Sequence, residues 1–221
     1  EGAGTFVASK KDQQYCGGTL IAEGTFEAPD WGINGIYGPD GVTVTILSNA
    51  TFSATAAAHT KRHFVLAGGR IYKAITSDLL GSEWFNDIEL TADSTMAGVG
   101  FGFIGPNYSE TKLNLNGHTL TLDIGNGSNT SSFDLCNLTV TGGGCIHAIH
   151  GGYVRLGGNG GSGVTAPTTT FWTDAPVIGK SASTFLNYKD SSTSTLNQDS
   201  APITVLGRFT PDTNWQSTIL A

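Results

Sequence analysis

The chain has 221 residues, of which 13% are charged and 31 are glycine, and its formal net charge is −7. Charged residues run at about half the usual ~25% and glycine at about twice its usual ~7%, a balance that gives many turns and few long amphipathic helices. The negative charge argues against nucleic acid, whose phosphates call for clustered cations, and no apolar run approaches the ~20 residues of a membrane-spanning helix.

The first residues, Glu1-Gly2-Ala3-Gly4, lack the basic start and apolar core of an export signal. The last five, 217–221, stop in what reads as mid-strand, so the expectation is a segment of a longer chain. The adjacent basic pairs, Lys10-Lys11 and Lys61-Arg62, read as solvated turns rather than a binding patch. Residues 13–26, "QQYCGGTLIAEGTF", set two glycines before a Thr-Leu-Ile triplet, then a short break, then Thr25-Phe26. The stretch is too short for a helix and carries no unusual chemistry, so its role is architectural.

Further along, the same design recurs. Ile21, Leu47, Leu66, Leu90, Leu115 and Val140 each precede a small or polar turn, at steps of 19 to 26 residues. After each turn comes a second apolar residue: Phe26, Phe52, Ile71, Met96, Leu120 and Ile146. Thr25, Thr51, Thr95 and Thr119 precede this second set, with Arg70 and Cys145 as exceptions. Within the units, "VTVTI" (42–46), "IELTADSTM" (88–96), "KLNLNGHTLTL" (112–122) and "NLTVT" (137–141) alternate apolar and polar with period two, which predicts half-buried strands. A strand-turn-strand unit repeating about every 25 residues predicts a solenoid, in which each turn buries its apolar face only by stacking on the next. The fold expected is therefore all-β: a right-handed parallel β-helix of roughly seven to nine rungs with irregular loop excursions, about 35–45 Å long from the strand spacing. The corners need backbone that Gly and Asn tolerate. A hairpin at Asn116-Gly117 is the competing reading, and it would not hold two apolar ladders in register. Short helical turns are expected within 53–62 and 77–86.

The remaining third is looser. Residues 151–164, "GGYVRLGGNGGSGV", place a glycine-rich loop after a strand at 153–156. A Gly-Lys-Ser/Thr ending and a following helix are missing, so this is a corner or surface loop and not a phosphate cradle. One β-solenoid segment is expected over 1–221: regular rungs at 29–156, an irregular excursion at 157–202 and a return at 203–221.

Residues 4–28 carry a family resemblance. Gly4, Thr5 and Phe6, a variable loop, then Tyr15, Gly17, Gly18, Thr19, Ile21, Gly24, Thr25 and Phe26 resemble the passenger-associated transport repeat, also called the autotransporter-associated β-strand repeat. Cys16 departs from the pattern, which has a small polar residue there. The rungs at 88–96 and 113–122 also resemble those of such passengers. The resemblance implies a bacterial autotransporter-like passenger: exported, extracellular or at the cell surface, β-helical, and with the repeat serving secretion and folding rather than catalysis. It implies a structural or adhesive role, with a glycan or a host or cell-surface protein as partner and with end-to-end self-association possible.

Candidate chemistry is sparse. Cys145 and His147 share a strand face, the spacing of two metal ligands, while His150 points the other way and no third ligand is visible; a structural zinc site needs four. Surface strand residues are the preferred reading, and no metal or cofactor is expected. Cys16, Cys136 and Cys145 are an odd number, which fits no tidy disulfide framework. Asp87 and Glu89 share a face with Asp93 just beyond, but no second acidic cluster follows one rung along. That leaves a carbohydrate-active β-helix, either a polysaccharide lyase or hydrolase or a glycan-binding module, as the alternative function. Trp31, Trp84, Trp172 and Trp215 lie in irregular stretches, where an indole either stacks on sugar or covers the core.

Overall fold

The computed structural model describes residues 2–8, 17–28, 41–54, 62–73, 87–98, 101–102, 111–123, 132–135, 138–149, 153–156, 170–173, 175, 177–179, 184–186, 195–197 and 203–205. Among them every regular element is a strand, and no helix is long and apolar enough to cross a membrane. In chain order the strands are β1 (Thr5–Val7), β2 (Thr19–Ala28), β3 (Thr43–Ala54), β4 (His63–Ala67), β5 (Arg70–Lys73), β6 (Asp87–Ala92), β7 (Ser94–Gly98), β8 (Phe101–Gly102), β9 (Thr111–Asn114) and β10 (Thr119–Asp123). They continue as β11 (Ser132–Leu135), β12 (Leu138–Thr141), β13 (Cys145–Ile149), β14 (Tyr153–Leu156), β15 (Thr170–Thr173), β16 (Val177–Gly179), β17 (Thr184–Leu186), β18 (Thr195–Asn197) and β19 (Ile203–Val205).

All pairing between these strands is parallel. The large sheet runs β18-β15-β12-β9-β6-β4-β3-β5-β7-β10-β13-β16-β19, with β2 on β3 and β1 on β2, and a second sheet runs β17-β14-β11-β8. Each repeat from β6 onward thus places one strand in each arm of the large sheet, and β8, β11, β14 and β17 add a third in the second sheet. A chain that returns to the same sheet in the same direction once per repeat has the connectivity of a coil, compatible with a β-solenoid. The hairpin reading of Asn116-Gly117 fails: β9 pairs β6 and β12, while β10 pairs β7 and β13.

Alternation decides what is inside. On β10, Leu120 and Leu122 are buried while Thr119, Thr121 and Asp123 are half-buried, and β13 repeats the pattern with Ile146 and Ala148. The core is a set of apolar columns running across the rungs. One column is Phe26, Phe52, Ile71, Met96, Leu122 and Ala148. Phe6 lies over Phe26 with ring centroids 5.4 Å apart, Phe26 stacks on Phe52 at 6.0 Å, and Phe52 meets Phe64 edge-on at 5.4 Å. Aromatic pairs at such distances add attraction beyond simple burial.

Ten of the twelve expected ladder residues are buried, Leu47 and Phe26 being half-buried, but the register differs from the simple ladders. Ile46, not Leu47, stacks on Ile21, because β2 and β3 are out of step by one residue at a bulge after Ile21. Met96 faces Leu122, and Leu120 faces Ser94 as well as Ile146. Val140 faces Leu113, not Leu115, whereas the register of Ile88 on Leu113, carried on two residues, sets Leu90 against Leu115. A slip of two residues leaves the same face inward, so period-two sequence is silent about it; the corner lengths decide. Ser94 takes an inward position without harm, since its hydroxyl accepts from Gly68 N–H at 3.1 Å and donates to Ala92 O at 2.8 Å.

Within 157–202, where the loosened repeat points to an irregular excursion, the described residues include four strands that continue the sheets: β15 pairs β12, β16 pairs β13, β17 pairs β14 and β18 pairs β15. These strands are three or four residues long, too short for a period-two signal to rise above its neighbours. Of the helical turns expected within 53–62 and 77–86, residues 53 and 54 instead end β3, while 55–61 and 77–86 lie outside the described residues.

Candidate functional site

Six described titratable groups, His63, Asp87, Glu89, Asp93, Lys112 and His118, lie on the outward face of β4, β6 and β9 or at the corners beside it. Alternation on β6 turns Ile88 and Leu90 inward and leaves Asp87 and Glu89 outward. Asp87 Oδ1 accepts the backbone N–H of Lys112 in the next rung at 2.9 Å. Glu89 reaches in two directions: Oε2 lies 3.2 Å from His63 Nε2 in the preceding rung, and Oε1 accepts from Asn116 Nδ2 at 2.9 Å in the following one. The Asn116 amide also donates to Leu90 O at 2.9 Å, and the Asn114 side-chain oxygen accepts the Asn116 backbone N–H at 3.2 Å. Asn116 has φ 48°, a left-handed conformation that Asn adopts at lower cost than most residues. At the next corner Asp93 Oδ1 accepts the Thr119 N–H at 2.8 Å and lies 3.6 Å from His118 Nδ1.

These carboxylates do one recurrent thing. Each reaches across a rung boundary to a group 25 to 27 residues away, two of them to backbone N–H groups at the ends of strands, where the regular ladder runs out. At these exposed corners such groups otherwise turn to water, and a charged acceptor makes a stronger hydrogen bond than a neutral one. Read as sequence, Asp87, Glu89 and Asp93 are a solvated acidic face. The missed signal is their spacing: an acid or Asn beside a corner, one repeat away from the strand end it holds.

A second polar line runs along the other arm. Thr5, Thr25, Thr51, Arg70, Thr95, Thr121 and His147 occupy successive positions. Here the threonine column continues through Thr121, while Thr119 pairs with Cys145 in a neighbouring column. Arg70 spreads over the Tyr72 ring at 5.0 Å from its centroid, and its guanidinium comes to 3.9 Å from Asp123 Oδ2. Cys145 and His147 share the outward face of β13, both half-buried, as the alternation predicts. No group of three or more His, Cys, Asp or Glu among the described residues is placed to hold a metal ion. His150, Cys16 and Cys136 lie outside the described residues, as do Trp31, Trp84 and Trp215. Trp172 lies on β15, paired with Thr139 of β12.

The repeat motif acquires a geometric meaning. Gly4-Thr5-Phe6 lies directly on Gly24-Thr25-Phe26, with Thr5 opposite Thr25 and Phe6 opposite Phe26. Thr25 N–H donates to Gly4 O at 2.9 Å, and Ala8 N–H donates to Glu27 O at 2.9 Å. Gly24 has φ 73°, and a Cβ there would strike Gly4 O and stand 2.7 Å from Gly2 O. Only glycine meets both conditions. Gly17 and Gly18 lead into Thr19 at the start of β2, and a Cβ on Gly18 would come within 2.8 Å of Thr43 O. Ile21 is buried and Thr25 and Phe26 are half-buried; Tyr15 lies outside the described residues. Comparison with family models, with curated proteins and with solved structures gives no match.

Proposed function

We propose that the chain is a right-handed parallel β-helix that serves as a non-catalytic structural and adhesive segment of an exported, autotransporter-like bacterial surface or secreted protein. Its Gly-Thr-Phe repeat would aid folding and secretion of the passenger, and its partners would be a glycan or a host or cell-surface protein. The observation that carries this reading is the use made of the outward acids. Asp87, Glu89 and Asp93 are engaged in tying one rung to the next, a structural task that leaves shape and surface as the working properties. The handedness rests on the general rule that parallel strands joined by a crossover in one sheet are linked right-handedly in about 98% of cases.

Export provides the test. The chain is placed between a secretion signal and an outer-membrane barrel in a bacterial host, and surface display is followed by protease shaving of intact cells. Display of the whole chain, reduced several-fold by deleting 4–28, is the expected result. Equal display without the repeat would remove its proposed role.

The outward face also favours a second reading. His63, Glu89, Asn114 and Asn116 form one contiguous polar surface, the chemistry of a carbohydrate-active β-helix. Depolymerisation of an acidic polysaccharide by the purified chain, lost in Asp87→Asn or Glu89→Gln variants that keep their fold, would replace the first reading with this one. A glycan array run on the whole chain would separate simple sugar binding from both.

A further inference from the structure

We propose that Asn116-Gly117 is a latent self-modification site: Asn116 deamidates through a succinimide closed by the Gly117 nitrogen, and the rungs on either side hold that reaction off for as long as they stay docked. Both residues are exposed at the corner between β9 and β10. Asn116 has φ 48° and Gly117 φ 80°, and His118 N–H donates to Leu115 O at 2.8 Å. Positive φ at both central residues is the mark of a type I′ turn. The turn that Asn-Gly favours in hairpins is used here to pass from one arm of the coil to the other. Gly117 has no side chain, and nothing lies within 4 Å of the place a Cβ would take. A glycine after asparagine leaves the attacking nitrogen unhindered and the backbone free to rotate, which makes Asn-Gly the dipeptide most prone to this chemistry.

The fold ties the two reacting groups to opposite neighbours in the stack. The electrophile is the side-chain amide carbon of Asn116. Its nitrogen, Nδ2, donates to Glu89 Oε1 and to Leu90 O, both at 2.9 Å, in the preceding rung. The nucleophile is the Gly117 backbone nitrogen, whose N–H donates to Gly142 O at 2.8 Å in the following rung. Two further bonds fasten the corner to that following rung: Leu115 N–H donates to Thr141 O at 2.8 Å, and Cys145 N–H donates to His118 O at 3.1 Å. Ring closure requires the Gly117 nitrogen to give up its proton and turn onto the Asn116 amide carbon, so the docked hydrogen bonds must first let go. The step then balances with water as its one co-reactant. The Gly117 nitrogen bonds to Cγ, the bond from Cγ to Nδ2 breaks, and ammonia leaves. Water opens the ring to an aspartyl or isoaspartyl residue. Either product sets a carboxylate against Glu89 and takes from Leu90 O the amide that donated to it. The isoaspartyl form also adds a methylene to the backbone of the corner. Separation of the rungs is thereby recorded in a covalent change that redocking does not reverse. None of this depends on export or adhesion, and failure of either leaves it standing.

The test uses the whole 221-residue chain in mildly alkaline buffer made with heavy-oxygen water, sampled over time with and without guanidinium chloride and read by peptide mapping in a mass spectrometer. In denaturant, heavy oxygen should enter at position 116, with aspartyl and isoaspartyl forms both present, while Asn114, followed by Leu115, stays an amide. Without denaturant the same conversion should run at least about tenfold slower, the kind of protection a locally closed structure confers. Glu89→Ala removes one of the two acceptors of Asn116 Nδ2 and should raise the native rate several-fold while leaving the denatured rate unchanged. Gly144→Ala, whose Cβ would strike His118 O from the following rung, should do the same from the other side. Should either variant fail to fold by circular dichroism, the unaltered chain with and without denaturant still decides. Asn116→Asp, made directly, should lower the hydrogen-exchange protection of the Gly117 amide several-fold. Equal rates with and without denaturant, absence of heavy oxygen at 116 in denaturant, native rates indifferent to the folded variants, or unchanged protection in Asn116→Asp would each overturn the inference.

Discussion

The rungs between His63 and Ile149 and the strands at the N-terminal end use the same alternation, yet they differ in what lies beside them. In the middle, the strands of the large sheet are flanked on both edges, their inward side chains are buried, and carboxylates or asparagine hold the corners. At the N-terminal end the described pairing of β1 is with Thr25, Phe26 and Glu27 of β2, its three residues are exposed, and an aromatic column that is closed at Phe52 continues to the exposed ring of Phe6. The same Thr-Phe pair is therefore core in one place and surface in another. Position in the stack, not residue type, sets its energetic weight.

The sharpest way to break that comparison is to place a charge at each end of it. Leu115→Asp puts an unpaired carboxylate in the interior and should cost more than about 3 kcal/mol in denaturant unfolding. Phe6→Asp, at a site already open to water, should cost less than about 1 kcal/mol. Similar losses at the two sites would mean that the interior and the end are not distinct environments. Next in size comes the backbone. Gly144 has φ 93° and a Cβ there would strike His118 O, whereas Gly117 has φ 80° with nothing near its Cβ. Both alanine variants meet the left-handed penalty of about 1–2 kcal/mol, so Gly144→Ala should melt lower than Gly117→Ala by the added clash; the reverse order in calorimetry would contradict the corner geometry.

Smaller effects come from the corner hydrogen bonds. Asp93→Ala removes the acceptor of Thr119 N–H at an exposed corner, where water can take its place, and should cost about 0.5–1 kcal/mol, with Asp93→Asn recovering much of it. Loss of protection at the Thr119 amide in hydrogen exchange would localise the change. Smallest of all, Glu23→Lys at the exposed end should move stability by no more than about 0.5 kcal/mol, measured in the same denaturant series. A larger shift would mean that Glu23 is engaged in the fold rather than poised at its rim.

The alternation along 42–46, 112–122 and 137–141 was enough to place the strands and their inward faces, because burial on one side leaves a period-two trace. It was not enough to set the register. Leu113 and Leu115, like Leu120 and Leu122, are interchangeable to a pattern that repeats every two residues, and the lengths of the corners at 92–94, 115–118 and 141–145 make the choice. The Gly-Thr-Phe repeat was visible as a motif, but its meaning lies in the stacking of Thr5 on Thr25 and Phe6 on Phe26. The inter-rung role of Asp87, Glu89, Asp93 and Asn116 was hidden for a different reason. An acid that binds a backbone N–H one repeat away looks, in sequence, like any other exposed acid.

The carboxylate that reaches from Asp93 to the Thr119 amide has a consequence for how the molecule assembles in time. It spans 26 residues, as do the strand pairings around it, and that separation does not grow with the number of rungs. The entropy of closing each loop is therefore nearly constant along the chain. A coil of this kind gains its order by adding one turn to an existing edge, with nearest-neighbour contacts setting the energy of each addition. Lengthening the chain then adds steps of similar height instead of raising a single barrier, and the slowest event is the pairing of the first two rungs.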